Sequence, residues 1–129
     1  MATLDHTTTN MYPPPPDAVI QQLRHNVVDV VSYAQYTLHI VFSTSNRISC
    51  SAPFRFGSAQ DQANLPVQDF PISESCMMRA VASTIADVDC DVDGTLTLQF
   101  SNGDILVIYA NDPAREAYTL MIDGSEFVV

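Results

Sequence analysis

The feature that most constrains this chain is a repetition. A short apolar helix followed by three strand-like segments occurs twice, in Val19–Ala52 and Met77–Ala110, at a spacing of 58 residues. At that spacing Ile20 matches Met78, Leu23 matches Val81, Val27 matches Ile85, Val30 matches Val88, Leu38 matches Leu96, Ile40 matches Leu98, Phe42 matches Phe100 and Ile48 matches Leu106. Alternation of apolar and polar residues predicts half-buried strands, and the closer spacing over Val19, Ile20 and Leu23 predicts one face of a helix. The expected fold is therefore α+β: two tandem helix-plus-three-stranded antiparallel meander repeats, sharing one sheet or partial barrel or related by a pseudo-twofold axis, with a cleft or seam where they meet.

Residues 1–16 end in Pro13-Pro14-Pro15-Pro16, which cannot donate ladder hydrogen bonds, and read as a flexible Pro-rich N-terminal arm. Asp17 is expected to cap the first helix, with strands at Val27–Tyr33, Thr37–Ser43 and Arg47–Phe54. A polar stretch from Gly57 to Asn64 leads through Pro66 and Pro71 to a second helix starting near Ser73, and strands follow at Thr84–Asp91, Thr95–Ser101 and Asp104–Ala110. Only the second unit continues into a further hairpin, Ala117–Ile122 and Ser125–Val129 around Asp123-Gly124. Residues 17–129 thus read as a single domain, with repeats at 17–56 and 73–110 and a terminal hairpin at 115–129.

At 129 residues and 47% apolar content, one domain can bury a core without metal or disulfide staples. No stretch approaches the roughly 20 apolar residues that cross a bilayer, and the N-terminus lacks the charged-then-apolar order of a signal peptide, so a cytoplasmic location is expected. Cys50, Cys76 and Cys90 are an odd number at wide spacing and read as buried thiols in a reducing compartment. Charge is the outlier. Fifteen acids face five basic residues, all arginine, for a net charge of −10; residues 1–73 carry −2 of it and residues 74–129 carry −8. Such a field repels nucleic acid and anionic membrane and speeds encounter with a basic partner where one exists; the alternative reading of the same charge is solubility.

The sharpest local motif is Asp87-Val88-Asp89-Cys90-Asp91-Val92-Asp93-Gly94, an aspartate at every second position. Alternation puts these carboxylates on one strand face. A three-residue loop, Val92-Asp93-Gly94, with glycine in the left-handed position, sets Cys90 opposite Leu96, Val88 opposite Leu98 and Ala86 opposite Phe100, with Asp87 and Asp89 opposite Gln99 and Thr97 on the solvent side. Asp89-x-Asp91-x-Asp93-Gly94 also matches the front half of a calcium loop, but the position that needs a bidentate glutamate is Phe100 and the flanks read as strands. A hairpin turn explains the segment better, and no metal or other cofactor is expected.

Catalytic signatures are missing. His6, His25 and His39 lack a second ligand at metal spacing, no serine sits in a nucleophile elbow, and four glycines do not build a phosphate loop; the chain reads as a non-enzyme. Tyr33 and Tyr36 flank the first hairpin, and Arg55 stands between Phe54 and Phe56. With Arg47, Arg79 and Arg115 they form the candidate set for an anionic, nucleotide-like ligand held between repeats or subunits. The plainer expectation is that Phe54 and Phe56 pack and that Tyr109 and Tyr118 cap the core with exposed hydroxyls. Ser101 and Asp104 read as neighbours of the Asn102-Gly103 turn.

The stretch from Leu96 to Leu106, Leu-Thr-Leu-Gln-Phe-Ser-Asn-Gly-Asp-Ile-Leu, followed by Arg115-Glu-Ala-Tyr-Thr-Leu and a terminal apolar strand, resembles a family of small uncharacterised bacterial domains, some of which neighbour toxin and immunity genes. The resemblance covers the C-terminal third of the chain. It implies an α+β domain that acts by binding, with Glu116 and Tyr118 as recurrent positions, and it supplies no catalytic residues. The expected function is neutralisation of a toxin or defence protein through an acidic face made by Asp87, Asp89, Asp91, Asp93 and Glu116, in a chain of bacterial or phage origin that is compatible with a homodimer.

Overall fold

The computed structural model describes residues 12–72, 75–110, 112 and 114–129. Most of the expected arm, His6 included, and the expected start of the second helix at Ser73 lie outside the described residues. The fold is mostly β. Helix α1 (Asp17–Ile20) runs into a 3-10 turn (Gln21–Leu23), and the second helical segment is a single 3-10 turn, Met77–Ala80. Pro16 rather than Asp17 occupies the cap position, and no side chain caps the helix; Asp17 sits in the first turn, where it accepts from Gln21 Nε2 at 3.2 Å.

Among the described residues, nine strands make two antiparallel sheets. Strands β1 (Val28–Tyr33), β2 (Leu38–Phe42), β3 (Arg47–Cys50), β8 (Tyr118–Ile122) and β9 (Ser125–Val128) form the first, in that order; β4 (Phe54–Ser58), β7 (Asp104–Ile108), β6 (Leu96–Phe100) and β5 (Ile85–Cys90) form the second, in that order. The sequence reads Arg47–Phe54 as one strand, but Ser51, Ala52 and Pro53 interrupt it, and Phe54 begins β4 in the other sheet. Pro53 has no N–H to give to a ladder. The terminal hairpin is also relocated: it follows the second meander in sequence and joins β3 of the first sheet. Inward residues of both sheets merge into one cluster that includes Leu38, Ile40, Phe42, Leu96, Leu98 and Leu106.

The two sheets touch at the starts of β1 and β5. His25 N–H donates to Ile85 O and Ala82 N–H to Val28 O, both at 2.8 Å; Val28 N–H donates to Ser83 O at 2.8 Å and Ile85 N–H to Asn26 O at 2.9 Å. Each bond has its counterpart under a shift of 57 residues, and His25 and Ala82 share a left-handed backbone, φ 70° and 71°. A β-bulge follows at Val28/Val30 and again at Ile85/Asp87. Beyond the hairpins the spacing becomes 58, with Ser45 and Gly103 both left-handed, because four residues separate the paired Tyr33 and Leu38 whereas five separate Cys90 and Leu96.

That one-residue change overturns part of the apolar matching. Ile20 and Leu23 are buried and correspond to buried Met77 and Ala80, whereas Met78 is 63% exposed and Val81 37%. Likewise Val28 and Val31 share the buried positions of Ile85 and Val88, and Val30 stands outside, where β5 has Asp87.

Candidate functional site

The acidic ladder lies on an edge strand, β5. Asp87 pairs with Gln99, Val88 with Leu98, Asp89 with Thr97 and Cys90 with Leu96, as alternation and the turn glycine predict. Ile85, not Ala86, faces Phe100, because the bulge takes up Ala86 and turns it to solvent. Asp87 and Asp89 are exposed on the strand, and Asp91 and Asp93 are exposed at its end. The loop closes through Asp91 N–H to Thr95 O and Gly94 N–H to Asp91 O, both 2.9 Å. Asp93 accepts from Thr95 N–H at 2.9 Å, and Gly94 has φ +97°.

A buried tyrosine ties this loop to the core. Tyr118 is 1% exposed, and its hydroxyl donates to Gly94 O at 2.6 Å while lying 3.5 Å from Cys90 Sγ. The expectation of an exposed Tyr118 hydroxyl is therefore wrong: at the start of β8 it faces inward, and burial pushes its phenol far above the ordinary range. Burial likewise raises the Cys90 thiol, with Asp89, Asp91 and Asp93 adding to the rise. Glu116, exposed, precedes Ala117, whose N–H donates to Val129 O at 2.6 Å. Val129 in turn packs beside Gly94, so Glu116 and the aspartate loop share one end of the molecule.

None of these five carboxylates is ion-paired among the described residues. Nor do any three histidine, cysteine or acidic side chains there converge as metal ligands, and Phe100, at the glutamate position of a calcium loop, is buried.

The arginine and tyrosine set is dispersed. Arg47 is exposed on β3 opposite Met121, and Tyr36 is exposed at the first hairpin. Tyr33, on β1, reaches Ser75, and burial raises its phenol. Arg55 lies over the Tyr109 ring at 5.8 Å with its Nε buried and unpartnered. Phe54 and Phe56 pack inward against Phe70 and Phe100. Arg115 lines a recess of about 260 Å³ together with Asp69, Asp112 and Glu116, surroundings that oppose an anion.

Arg79 is committed to Asp104, the one ion pair among the described residues. Sequence reasoning missed Asp104, which is 2% exposed at the start of β7 and also accepts from Asn102 Nδ2 at 3.1 Å. At the 58-residue spacing its counterpart is Asn46, which donates to the buried Asn26 Oδ1 at 2.9 Å. The signal was an acid opening an otherwise apolar strand, at a position polar in both halves.

A larger groove, about 850 Å³, opens between β4, the linker and the Met77–Ala80 turn. Its lining includes Asp61, Leu65, Gln68, Asp69, Cys76 and Arg79. Gln68 also pairs with Phe54 through two backbone bonds of 2.7 and 2.9 Å, covering the β4 edge. Of the three thiols, Cys50 alone is fully buried, with its thiol pushed up to about 12 by desolvation. Cys76 is exposed, contrary to the expectation of three buried thiols.

One family model matches the stretch of sequence that builds both antiparallel sheets. The chain belongs to DUF6188, a family of unknown function. The match covers residues 19–129, well beyond the C-terminal stretch on which the sequence resemblance rests. No curated protein and no solved structure matches this DUF6188 member. No helix among its described residues is long and apolar enough to cross a membrane.

Proposed function

We propose that this chain is a non-enzymatic binding protein of the immunity or anti-defence type, capturing a basic toxin or defence protein through the acidic edge formed by Asp87, Asp89, Asp91, Asp93 and Glu116. The observation that carries the reading is the combination of exposure, absent counter-charge and anchoring. Four aspartates stand on an edge strand and its loop, and Tyr118 fixes that loop to the core. A backbone already fixed needs little further ordering when a basic surface arrives, and the like charges it carries accelerate encounter. Edge carboxylates also repel another sheet edge, so the partner supplies arginine and lysine side chains rather than a strand.

The recurrence of bonds, bulges and left-handed residues supports reading the domain as two tandem repeats that have diverged at their edges. Val30 and Ser32 of β1 stand where β5 carries Asp87 and Asp89. On this reading the second copy acquired the binding surface, whereas β1 carries a single exposed acid, Asp29.

The test is affinity capture from the native host with two baits, the wild type and Asp87→Asn/Asp89→Asn/Asp91→Asn. The proposal expects a basic protein that the wild type retains and the triple variant loses, with both baits equally folded by circular dichroism. Equal retention by both baits refutes it.

A further inference from the structure

The starts of β1 and β5 are twins in backbone but not in side chains. On β5 the edge groups of Val88 are covered: its N–H donates to Asp87 Oδ1 and its C=O accepts from Gln21 Nε2, both at 3.0 Å, while Arg24 reaches Ala86 O at 3.5 Å. The corresponding residue of β1 is Val31, and all three covering residues are replaced there: Val30 stands for Asp87, Met78 for Gln21 and Val81 for Arg24. None of these can cap a backbone group. Ala34 N–H donates to Thr37 O at 2.8 Å, so alternation along β1 turns the N–H and C=O of Val31 and Tyr33 away from β2. Among the described residues no other group bonds them.

Apolar side chains flank this open edge. Met78 is 63% exposed, Val30 44%, Tyr33 39% and Val81 37%. By contrast β5 carries carboxylates and β4 is paired with Gln68, two devices that keep a further strand away. We propose that β1 pairs antiparallel with β1 of a second copy of this chain, about a twofold axis at Ser32, joining two five-stranded sheets. The register is what selects a second copy. Centred on Ser32, it sets Val31 opposite Tyr33 of the partner subunit and Tyr33 opposite the partner's Val31, so the open N–H and C=O groups satisfy one another reciprocally. Val30 meets Ala34 of the partner subunit. Asp29, the one acid of β1, meets the partner's Gln35, so no like charges face each other. Met78 is placed to meet the ring of the partner's Tyr33, a favourable thioether–aromatic contact. None of the carboxylates of the acidic edge takes part.

The salt dependence carries its own sign. Each copy has a net charge of −10, so salt screens the mutual repulsion and tightens the dimer, whereas salt weakens capture of a basic partner. Sedimentation velocity of the full chain from micromolar to millimolar concentration should show a monomer–dimer equilibrium that shifts toward dimer as salt rises. Val30→Asp/Met78→Gln, which gives β1 the covering residues of β5, should remain monomeric with an unchanged circular dichroism spectrum and urea midpoint no lower than the wild type. Val128→Asp, which adds the same charge on the exposed β9, should still dimerise. In a Cys76→Ser background, Ser32→Cys should form an intersubunit disulfide in glutathione disulfide, because residues facing across a non-hydrogen-bonded pair lie about 4.5 Å apart at Cα, and Val30→Cys, out of register with its own copy, should not. A wild type that stays monomeric throughout, a folded Val30→Asp/Met78→Gln variant that dimerises as the wild type does, a dimer lost with Val128→Asp, or cross-linking as fast at Val30→Cys as at Ser32→Cys overturns the proposal.

Discussion

Replacing Gly94 with alanine tests whether the aspartate loop is seated on the C-terminus or merely turns in solvent. Gly94 and Gly103 both have left-handed backbones, φ +97° and +91°, so either alanine incurs about 1–2 kcal/mol of backbone strain. Their surroundings differ. A Cβ on Gly94 would lie 2.9 Å from Val129 Cγ1 and 3.2 Å from Ala110 Cβ, whereas one on Gly103 meets nothing within 4 Å. Val129 is 2% exposed, so it has little room to withdraw, and overpacking of this kind adds about 1–3 kcal/mol. Gly94→Ala should therefore cost about 2–5 kcal/mol and Gly103→Ala about 1–2 kcal/mol, read as urea midpoints at constant slope. Val129→Ala in the Gly94→Ala background should recover part of the difference, a coupling that a double-mutant cycle isolates. Equal costs for the two glycines, or no coupling to Val129, would refute the seating of the loop.

The helical turn, the Tyr118 anchor and the buried thiol each carry a measurable consequence. Met77→Ala should cost about 2–5 kcal/mol as a core truncation, and Met78→Ala should stay within about 0.5 kcal/mol as a surface change; the reverse order in urea titrations would restore the uniform 58-residue register. Tyr118→Phe should cost about 1–3 kcal/mol by leaving Gly94 O unpaired, and amide exchange should quicken at Gly94 and Thr95; unchanged exchange there would contradict the anchor. Cys50 is protonated in the fold to about pH 12 against an ordinary 9.0. Between those values the unfolded state binds fewer protons, so stability falls as pH rises, by about 1.4 kcal/mol per pH unit from this thiol. Cys50→Ala should flatten that alkaline slope in urea titrations run from pH 8 to 11, and an unchanged slope would show that the thiol does not contribute.

Period-two patterning with a single turn glycine made the β5–β6 register readable, down to Asp87 opposite Gln99 and Asp89 opposite Thr97. The same reasoning failed one element earlier. Met78 and Val81 are as apolar as Met77 and Ala80, so hydropathy favours a 58-residue match there, and only the five-residue connection between Cys90 and Leu96 shifts the frame. The division of Arg47–Phe54 between two sheets was hidden because each half alternates correctly; Pro53 was the available sign. Docking of the terminal hairpin on β3 depends on long-range pairing that local pattern does not encode.

At the candidate site, exposure of the aspartates followed from alternation, but their anchoring by Tyr118 required the tertiary contact with Gly94. The burial of Asp104 was equally invisible locally, because its partner Arg79 lies in a separate helical turn. The arginines illustrate the converse: proximity in composition did not become proximity in space, since one is spent on Asp104, one lies over Tyr109 and Arg47 faces solvent.

Electrostatic capture by the acidic edge shows most directly in the association rate. Stopped-flow mixing with the captured partner at rising ionic strength should show a wild-type rate that falls steeply with salt. Asp87→Asn/Asp89→Asn/Asp91→Asn should be slower by on the order of tenfold at low salt and converge with the wild type at high salt. A wild-type rate insensitive to salt, or a triple variant that associates at the wild-type rate in low salt, would contradict the account.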